Sequence, residues 1–231
     1  GQKMSKSRGN VINPDDFIGD YGADSVRLYE MFMGALEMMK AWSMQGLEGV
    51  YRFLGRVWRL FCDEGGKLQA AVRHEAAAVE QKRMLHRAVK KVTEDLEDLR
   101  FNTAISALMI FLNDFSKTET RPVEILEPFV LILSPFAPHL AEELWQMLGH
   151  KETLAYEPWP SHDPAILAEK EEEIVLQVMG KVRSRISVPV DIGQDALKEL
   201  ALQDGKVRQW TEGKKIQKII VVPHKLVNFV V

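Results

Sequence analysis

Apolar residues return every three or four positions between Val50 and Leu148, and every second position beyond residue 173. A helix buries a 3.6-residue period and a strand a two-residue period, so one chain carrying both must fold into a helical part followed by a part that contains a sheet. Val50, Phe53, Leu54, Val57, Trp58 and Phe61 make the clearest helical stripe, which Gly65-Gly66 stops. Leu85, Val89, Val92, Leu96 and Leu99 form a second stripe, and Phe101, Ile105, Leu108, Leu112 and Phe115 a third. A further helix from about Val123 to Leu133 is broken by Pro135 and Pro138, and another runs through Leu140, Leu144, Trp145 and Leu148 before Gly149. Stripes of this kind have to face one another, which predicts an antiparallel helical bundle.

Ahead of the bundle, the stretch from Gly1 to Gly9 reads as a loop, with two glycines, two serines and three cations but no apolar period. Asn13 can cap a short helix that opens on Pro14, with Asp15 and Asp16 at the positive end of its dipole and Gly19 and Gly22 closing it. Another helix is expected from about Asp24 to Leu36. Behind the bundle, three prolines from Pro158 to Pro164 read as a linker, and the charged run Glu169 to Glu173 marks the change of period. Val182, Ile186, Val188 and Val190 should lie on one face of a strand, with Arg183 and Arg185 on the other. A helical stretch around Ala196 to Trp210 precedes strands at about Ile216 to Val222 and Leu226 to Val231, turned by Pro223-His224-Lys225. The expected fold is therefore mainly α with a small α+β domain: an antiparallel helical bundle followed by a helix-covered small sheet, divided at 1–40, 41–168 and 169–231.

Composition narrows the function. The lone Cys62 excludes an internal disulfide framework and a multi-cysteine zinc site, and the six histidines lack the spacing that sets two ligands on one helix face, so no metal is assigned. No apolar signal core opens the chain, and the longest purely aliphatic and aromatic run of the helical region, Phe129 to Leu133, is far short of a membrane span; cytoplasmic residence is expected, with no membrane partner. Residues 174–231 hold ten Lys and Arg against five Asp and Glu, leaving 20 basic against 28 acidic residues before them. A basic end suits a polyanion, for which Lys181, Arg183, Arg185, Lys214, Lys215, Lys218 and Lys225 are the candidates. Arg52, Arg56 and Arg59 fall at i, i+4 and i+7 beside an apolar stripe and could meet phosphates, although a solvated stripe explains them equally well. Trp58, Trp145 and Phe136 lie on apolar faces and read as core, and His139, beside two prolines, as a structural hydrogen-bonder.

Lys3-Met4-Ser5-Lys6-Ser7, followed by Arg8-Gly9-Asn10, carries the most specific signal. By itself it could be a solvated Lys/Ser-rich terminus, but it resembles the signature loop of class I aminoacyl-tRNA synthetases. Asn13-Pro14-Asp15-Asp16, Tyr21-Gly22-Ala23-Asp24, Arg27-Leu28-Tyr29 and Met31-Phe32-Met33-Gly34 follow it as in leucyl-tRNA synthetases. Trp42, Gly46-Leu47-Glu48-Gly49, Arg56-Val57-Trp58-Arg59-Leu60, the run Phe101 to Leu108, the run Pro135 to Trp145, Gln177 to Arg183 and Val222 to Asn228 extend the likeness along nearly the whole chain.

The resemblance implies a part of a leucine-tRNA ligase, which activates leucine with ATP, accompanied by Mg2+, and transfers it to tRNA(Leu). Lys3 and Lys6 would stabilise the departing pyrophosphate, while Met4, Ser5 and Ser7 would help shape the loop around ATP. Residues 1–40 would be the catalytic loop with its connecting helices, residues 41–168 an anticodon-binding-type bundle, and residues 169–231 a tRNA-binding domain. The chain alone is expected to be inactive and monomeric, meeting ATP and leucine through a catalytic domain it lacks. The related enzymes for isoleucine, valine and methionine share the loop, but an isoleucyl enzyme should bring a cysteine cluster and a valyl one a terminal coiled coil. A stand-alone RNA-binding module is the remaining alternative. Met179 stands where the leucyl pattern prefers asparagine, and His224 where glycine is more usual, so these two turns are expected to differ in geometry.

Overall fold

The computed structural model describes residues 3–35, 37–167, 171–190, 192–214 and 216–231, and they fall into two compact units, Gly1–Leu167 and Ala168–Val231. The first unit is helical. Its elements are α1 (Pro14–Tyr21), α2 (Ala23–Phe32), α3 (Met44–Phe61), α4 (Val79–Glu97), α5 (Phe101–Phe115), α6 (Val123–Leu133), α7 (Pro138–Met147) and the single turn α8 (Pro164–Leu167). Two short strands, β1 (Val72–Arg73) and β2 (Arg121–Pro122), pair in parallel and bring the α3–α4 connection against the α5–α6 connection.

The expected stripes form one core, except that Leu99 falls beyond the end of α4, at a φ of 56°, and is exposed. Val50, Phe53, Leu54, Val57 and Phe61 of α3, Leu85, Val89 and Val92 of α4, and Ile105, Leu108, Leu112 and Phe115 of α5 are all buried. Phe111 stacks on both Phe115 and Phe129, with ring centroids 5.1 and 4.7 Å apart. Phe136 and Trp145 are buried as expected, whereas Trp58 is only partly covered. The stretch from Pro158 lies against α4, because the Trp159 indole N–H donates to Thr93 Oγ1 at 2.8 Å and the Asp163 amide to His86 Nδ1 at 2.8 Å.

Helix α2 stops at Phe32, short of the expected end, and Leu36 lies outside the described residues. Its inward polar groups tie it to distant chain. Asp24 accepts from the amides of His139 and Leu140, at 3.4 and 2.8 Å, and from His139 Nδ1 at 2.8 Å. Ala137, the residue at the N-cap of α7, has no side chain able to cap, so a carboxylate from another helix satisfies the free amides. Arg27 donates to the Pro135 carbonyl, and the Tyr29 hydroxyl accepts from the Ser43 amide at 2.6 Å.

The second unit is a four-stranded sheet in the order β4-β3-β6-β5, made of β3 (Glu171–Val178), β4 (Lys181–Pro189), β5 (Lys218–Val222) and β6 (Leu226–Val230). β3 and β6 are parallel and the outer pairs antiparallel. Ile174, Leu176, Val178, Val188, Val227 and Phe229 bury one face beneath Leu197, Ala201 and Val207. The helical stretch expected over Ala196 to Trp210 is two helices, α9 (Gln194–Gln203) and α10 (Gly205–Thr211). Asp204 causes the break: its non-helical backbone ends α9, and its carboxylate accepts from the amides of Lys206 and Val207 to cap α10.

The second unit departs from two further expectations. In register, Leu176 faces Ser184 and Gln177 faces Val182, so Arg183 is the extra residue of a β-bulge. The bulge reverses the alternation, leaving Val182 exposed and Arg183 and Arg185 without a common face. The turns at Met179 and His224 keep the left-handed backbone that asparagine and glycine favour, with φ of 53° and 59°. A β-hairpin whose central pair is Met179-Gly180, both at positive φ, is the turn for which Asn-Gly is preferred, so the departure from the pattern costs strain and leaves the geometry in place.

Candidate functional site

Ser5 is extended, and Lys6–Arg8 form a single 3-10 turn that Gly9 closes at φ 65°, its amide donating to the Lys6 carbonyl. Asn10 braces the loop from inside: its Oδ1 accepts from the Ser5 amide at 2.9 Å, and its Nδ2 donates to the Lys3 carbonyl at 3.4 Å. Ser5 Oγ and Ser7 Oγ are 3.2 Å apart. The outcome is an exposed turn carrying Lys3, Lys6 and Arg8, around which no carboxylate forms an ion pair among the described residues. Met4 reaches from the loop into the wall of a cavity of about 630 Å³, which Ile12, Pro14, Tyr29, Met33 and Trp42 also line. Trp42 packs between Phe17 and Tyr29, at centroid distances of 4.9 and 4.8 Å, so the loop is rooted in an aromatic cluster although its tip is open.

Such a turn can hold a polyphosphate chain by cation–anion attraction and by donated hydrogen bonds. The one thiol, Cys62, is buried, and its pKa is pushed up to about 11 by burial, Asp63 and Glu143, which keeps it protonated and inert. Among the described residues no group of three His, Cys, Asp or Glu side chains gathers as metal ligands, and no helix is long and apolar enough to cross a membrane.

The expected nucleic-acid contacts fare unevenly. Arg52, Arg56 and Arg59 are all exposed on α3; Arg56 donates to Asn113 Oδ1 at 2.7 Å, and Arg59 lies back beside Gly55. In the second unit Arg183 lies flat on Trp210, 3.4 Å from the ring centroid, with its Nε buried and unpartnered. Arg185 pairs with Glu173 at 2.6 Å, which neutralises it. Lys181, Lys214, Lys218 and Lys225 are exposed, but β4 and β5 are the two edge strands, so Lys181 and Lys218 stand three strand spacings apart, about 14 Å, and Lys225 sits at the opposite end of the sheet. Lys215 lies outside the described residues. These cations therefore surround the sheet without converging on one patch.

Sequence reasoning gave no bonding role to three residues that the structure brings into play. Asn10 could have been found from its place at the end of the loop motif. Asp24 and Arg121 could not, because their partners are distant in sequence: the β1–β2 pairing carries Arg121 to the end of α3, where its Nη1 donates to the Leu60 carbonyl and to Gln69 Oε1, both at 2.6 Å.

Two family descriptions match the chain: the anticodon-binding domain of tRNA ligase over residues 82–198, just over half of the 231 residues, and tRNA synthetases class I (I, L, M and V) over residues 1–41. Among solved structures the chain is similar to the Agrobacterium radiobacter K84 agnB2 LeuRS in a ternary complex with tRNA and LeuAMS, at 29% identity and a TM-score of 0.66. That match covers 100% of this chain and 31% of the LeuRS chain, so the chain spans about a third of the length of the structure it resembles.

Proposed function

The chain belongs to the family of anticodon-binding domains of tRNA ligases, and on that premise we propose that it is the part of a leucine-tRNA ligase that supplies the pyrophosphate-stabilising loop and the tRNA-binding surfaces. The observation that carries the reading is the exposed turn of Lys3, Lys6 and Arg8, braced by Asn10, in a segment that matches the class I synthetases and is joined to the anticodon-binding bundle. The choice of leucine rests on the sequence resemblance downstream of the loop and on the LeuRS neighbour, because the class I description is shared by enzymes for four amino acids.

In amino-acid activation a carboxylate oxygen of leucine bonds to the α-phosphorus of ATP, and the bond from that phosphorus to the bridging oxygen breaks. Negative charge gathers on the departing pyrophosphate, and only interactions that strengthen with this charge speed the step. Lys6, and Lys3 beside it, would supply them on a turn that Gly9 lets close and reopen. Mg2+ arrives with ATP and shares the neutralisation. The bundle and the terminal unit would hold the tRNA, through Arg52, Arg56 and Arg59 in the first and through Lys181, Lys214, Lys218, Lys225 and the Arg183–Trp210 pair in the second. Recognition of adenine and of leucine would fall outside these residues, so the chain by itself should not form leucyl-adenylate.

Charging assays on the longer protein that carries this chain test the reading. ATP-dependent attachment of leucine to tRNA(Leu) supports it. Attachment of isoleucine, valine or methionine instead would reassign the amino acid, and tRNA binding with no charging would leave a binding module.

A further inference from the structure

The last two turns of α3, the end of α5 and strand β2 border a shallow, open cavity of about 180 Å³ lined by Arg56, Arg59, Leu60, Leu112, Ser116 and Arg121. We propose that this cavity is a phosphate-binding site and that it receives one backbone phosphodiester of the bound tRNA, an inference that rests on the tRNA-ligase reading above.

The first support is the charge balance. Three guanidinium groups line one small cavity, and every acceptor that touches them is neutral: the Asn113 amide for Arg56, and the Leu60 carbonyl and Gln69 amide for Arg121. Among the described residues none of the three forms an ion pair, although carboxylates are near in the sequence. Asp114, in the last turn of α5, pairs with Lys117 at 2.9 Å. Arginines brought together without a counter-ion repel one another, and an anion between them relieves the repulsion.

The second support is preorganisation. Arg121 is fixed by two 2.6 Å hydrogen bonds, yet its Nε–H is buried and has no acceptor. Burial without a counter-charge also pulls its pKa below the ordinary guanidinium value. Arg56 is steered by Asn113, and the Arg59 guanidinium lies beside Gly55. Planar guanidinium forks held this way match the oxygens of a phosphate. Arg52 does not line the cavity, which separates it from the two arginines that follow it on α3.

Binding of a tRNA(Leu) transcript to the 231-residue chain, measured by fluorescence anisotropy over a KCl series, tests the site. The double variant Arg56→Ala/Arg59→Ala should keep its helical circular dichroism, bind about tenfold more weakly at low salt, and lower the slope of log affinity against log salt by about 1. Arg52→Ala should lose less than half as much. A double variant that binds within twofold of wild type with an unchanged slope, or an Arg52→Ala loss as large as the double variant's, overturns the proposal. If wild type does not bind the transcript, the tRNA reading fails separately. The site is then judged with inorganic phosphate alone: selective shifts of the Arg56, Arg59 and Arg121 Nε–H resonances, absent with chloride at equal ionic strength, sustain a phosphate site, and their absence overturns it.

Discussion

Asp24 should be worth more to the stability of the helical unit than its place in the first turn of α2 suggests. Its carboxylate, with a side chain only 10% exposed, caps α7 across the fold through the amides of His139 and Leu140 and bonds the His139 ring as well. A hydrogen bond to a charged group contributes about 1.5–3 kcal/mol, and loss of a capping side chain costs about 0.5–2 kcal/mol. The contacts share two oxygens and do not add fully, so we expect Asp24→Ala to cost about 3 kcal/mol and Asp24→Asn, which keeps one acceptor, about half of that. The His139 ring is 74% exposed and its loss leaves both amide contacts in place, so His139→Ala should cost about 0.5 kcal/mol or less. In a protein of this size 3 kcal/mol corresponds to a fall in Tm of roughly 6–12 °C. Urea and thermal unfolding followed by circular dichroism of the helical unit read both variants. An Asp24→Ala protein within about 0.5 kcal/mol of wild type, or a His139→Ala protein equally destabilised, would refute the capping argument.

The remaining predictions concern strain, charge and the core. Met179→Asn should stabilise the second unit by about 1 kcal/mol, because asparagine tolerates the φ of 53° that methionine does not favour; an unchanged urea midpoint would show that the turn stores no strain. His224→Gly should be nearly neutral, since relief at φ 59° is offset by loss of the 3.0 Å contacts to Glu172. Asp95 is fully buried; burial pushes its pKa up, but hydrogen bonds from Lys91, Thr103 and Arg100 outweigh it and hold the carboxyl below its usual range. Its contribution is therefore complete above the unfolded value of about 3.9 and is lost as the pH falls through the lower folded value, so Asp95→Asn should flatten the acid limb of a stability–pH curve while lowering the plateau. Phe136→Ala, at a fully buried site, should cost about 3–5 kcal/mol and Trp58→Ala, only partly buried, clearly less; equal melting midpoints for the two would contradict the packing.

What could be read in advance follows from how far each signal reaches along the chain. The bundle was legible because its stripes are local: a helix that buries Val50, Phe53, Leu54 and Val57 announces itself within two turns. The lysine-serine turn was legible as a contiguous motif. The face of Arg183 was not, because the alternation of a strand holds only while its register with the neighbour holds, and the bulge opposite Leu176 and Gln177 belongs to the pair of strands. The break at Asp204 was hidden within residues whose apolar spacing suits one longer helix, and only the cap on Lys206 and Val207 exposes it. Asp24 meets His139 across 115 positions, and Arg121 meets Leu60 across 61, so chemistry that depends on them exists only after folding.

Leucine-dependent exchange of pyrophosphate into ATP, measured on the full-length protein with and without Lys6→Ala, tests the central claim most directly. The account predicts exchange that depends on leucine and falls at least tenfold in the variant, a loss of about 1.4 kcal/mol of transition-state stabilisation, with the melting temperature unchanged because Lys6 is exposed. Exchange driven by another amino acid, or leucine-dependent exchange that survives Lys6→Ala within a few-fold, would contradict it.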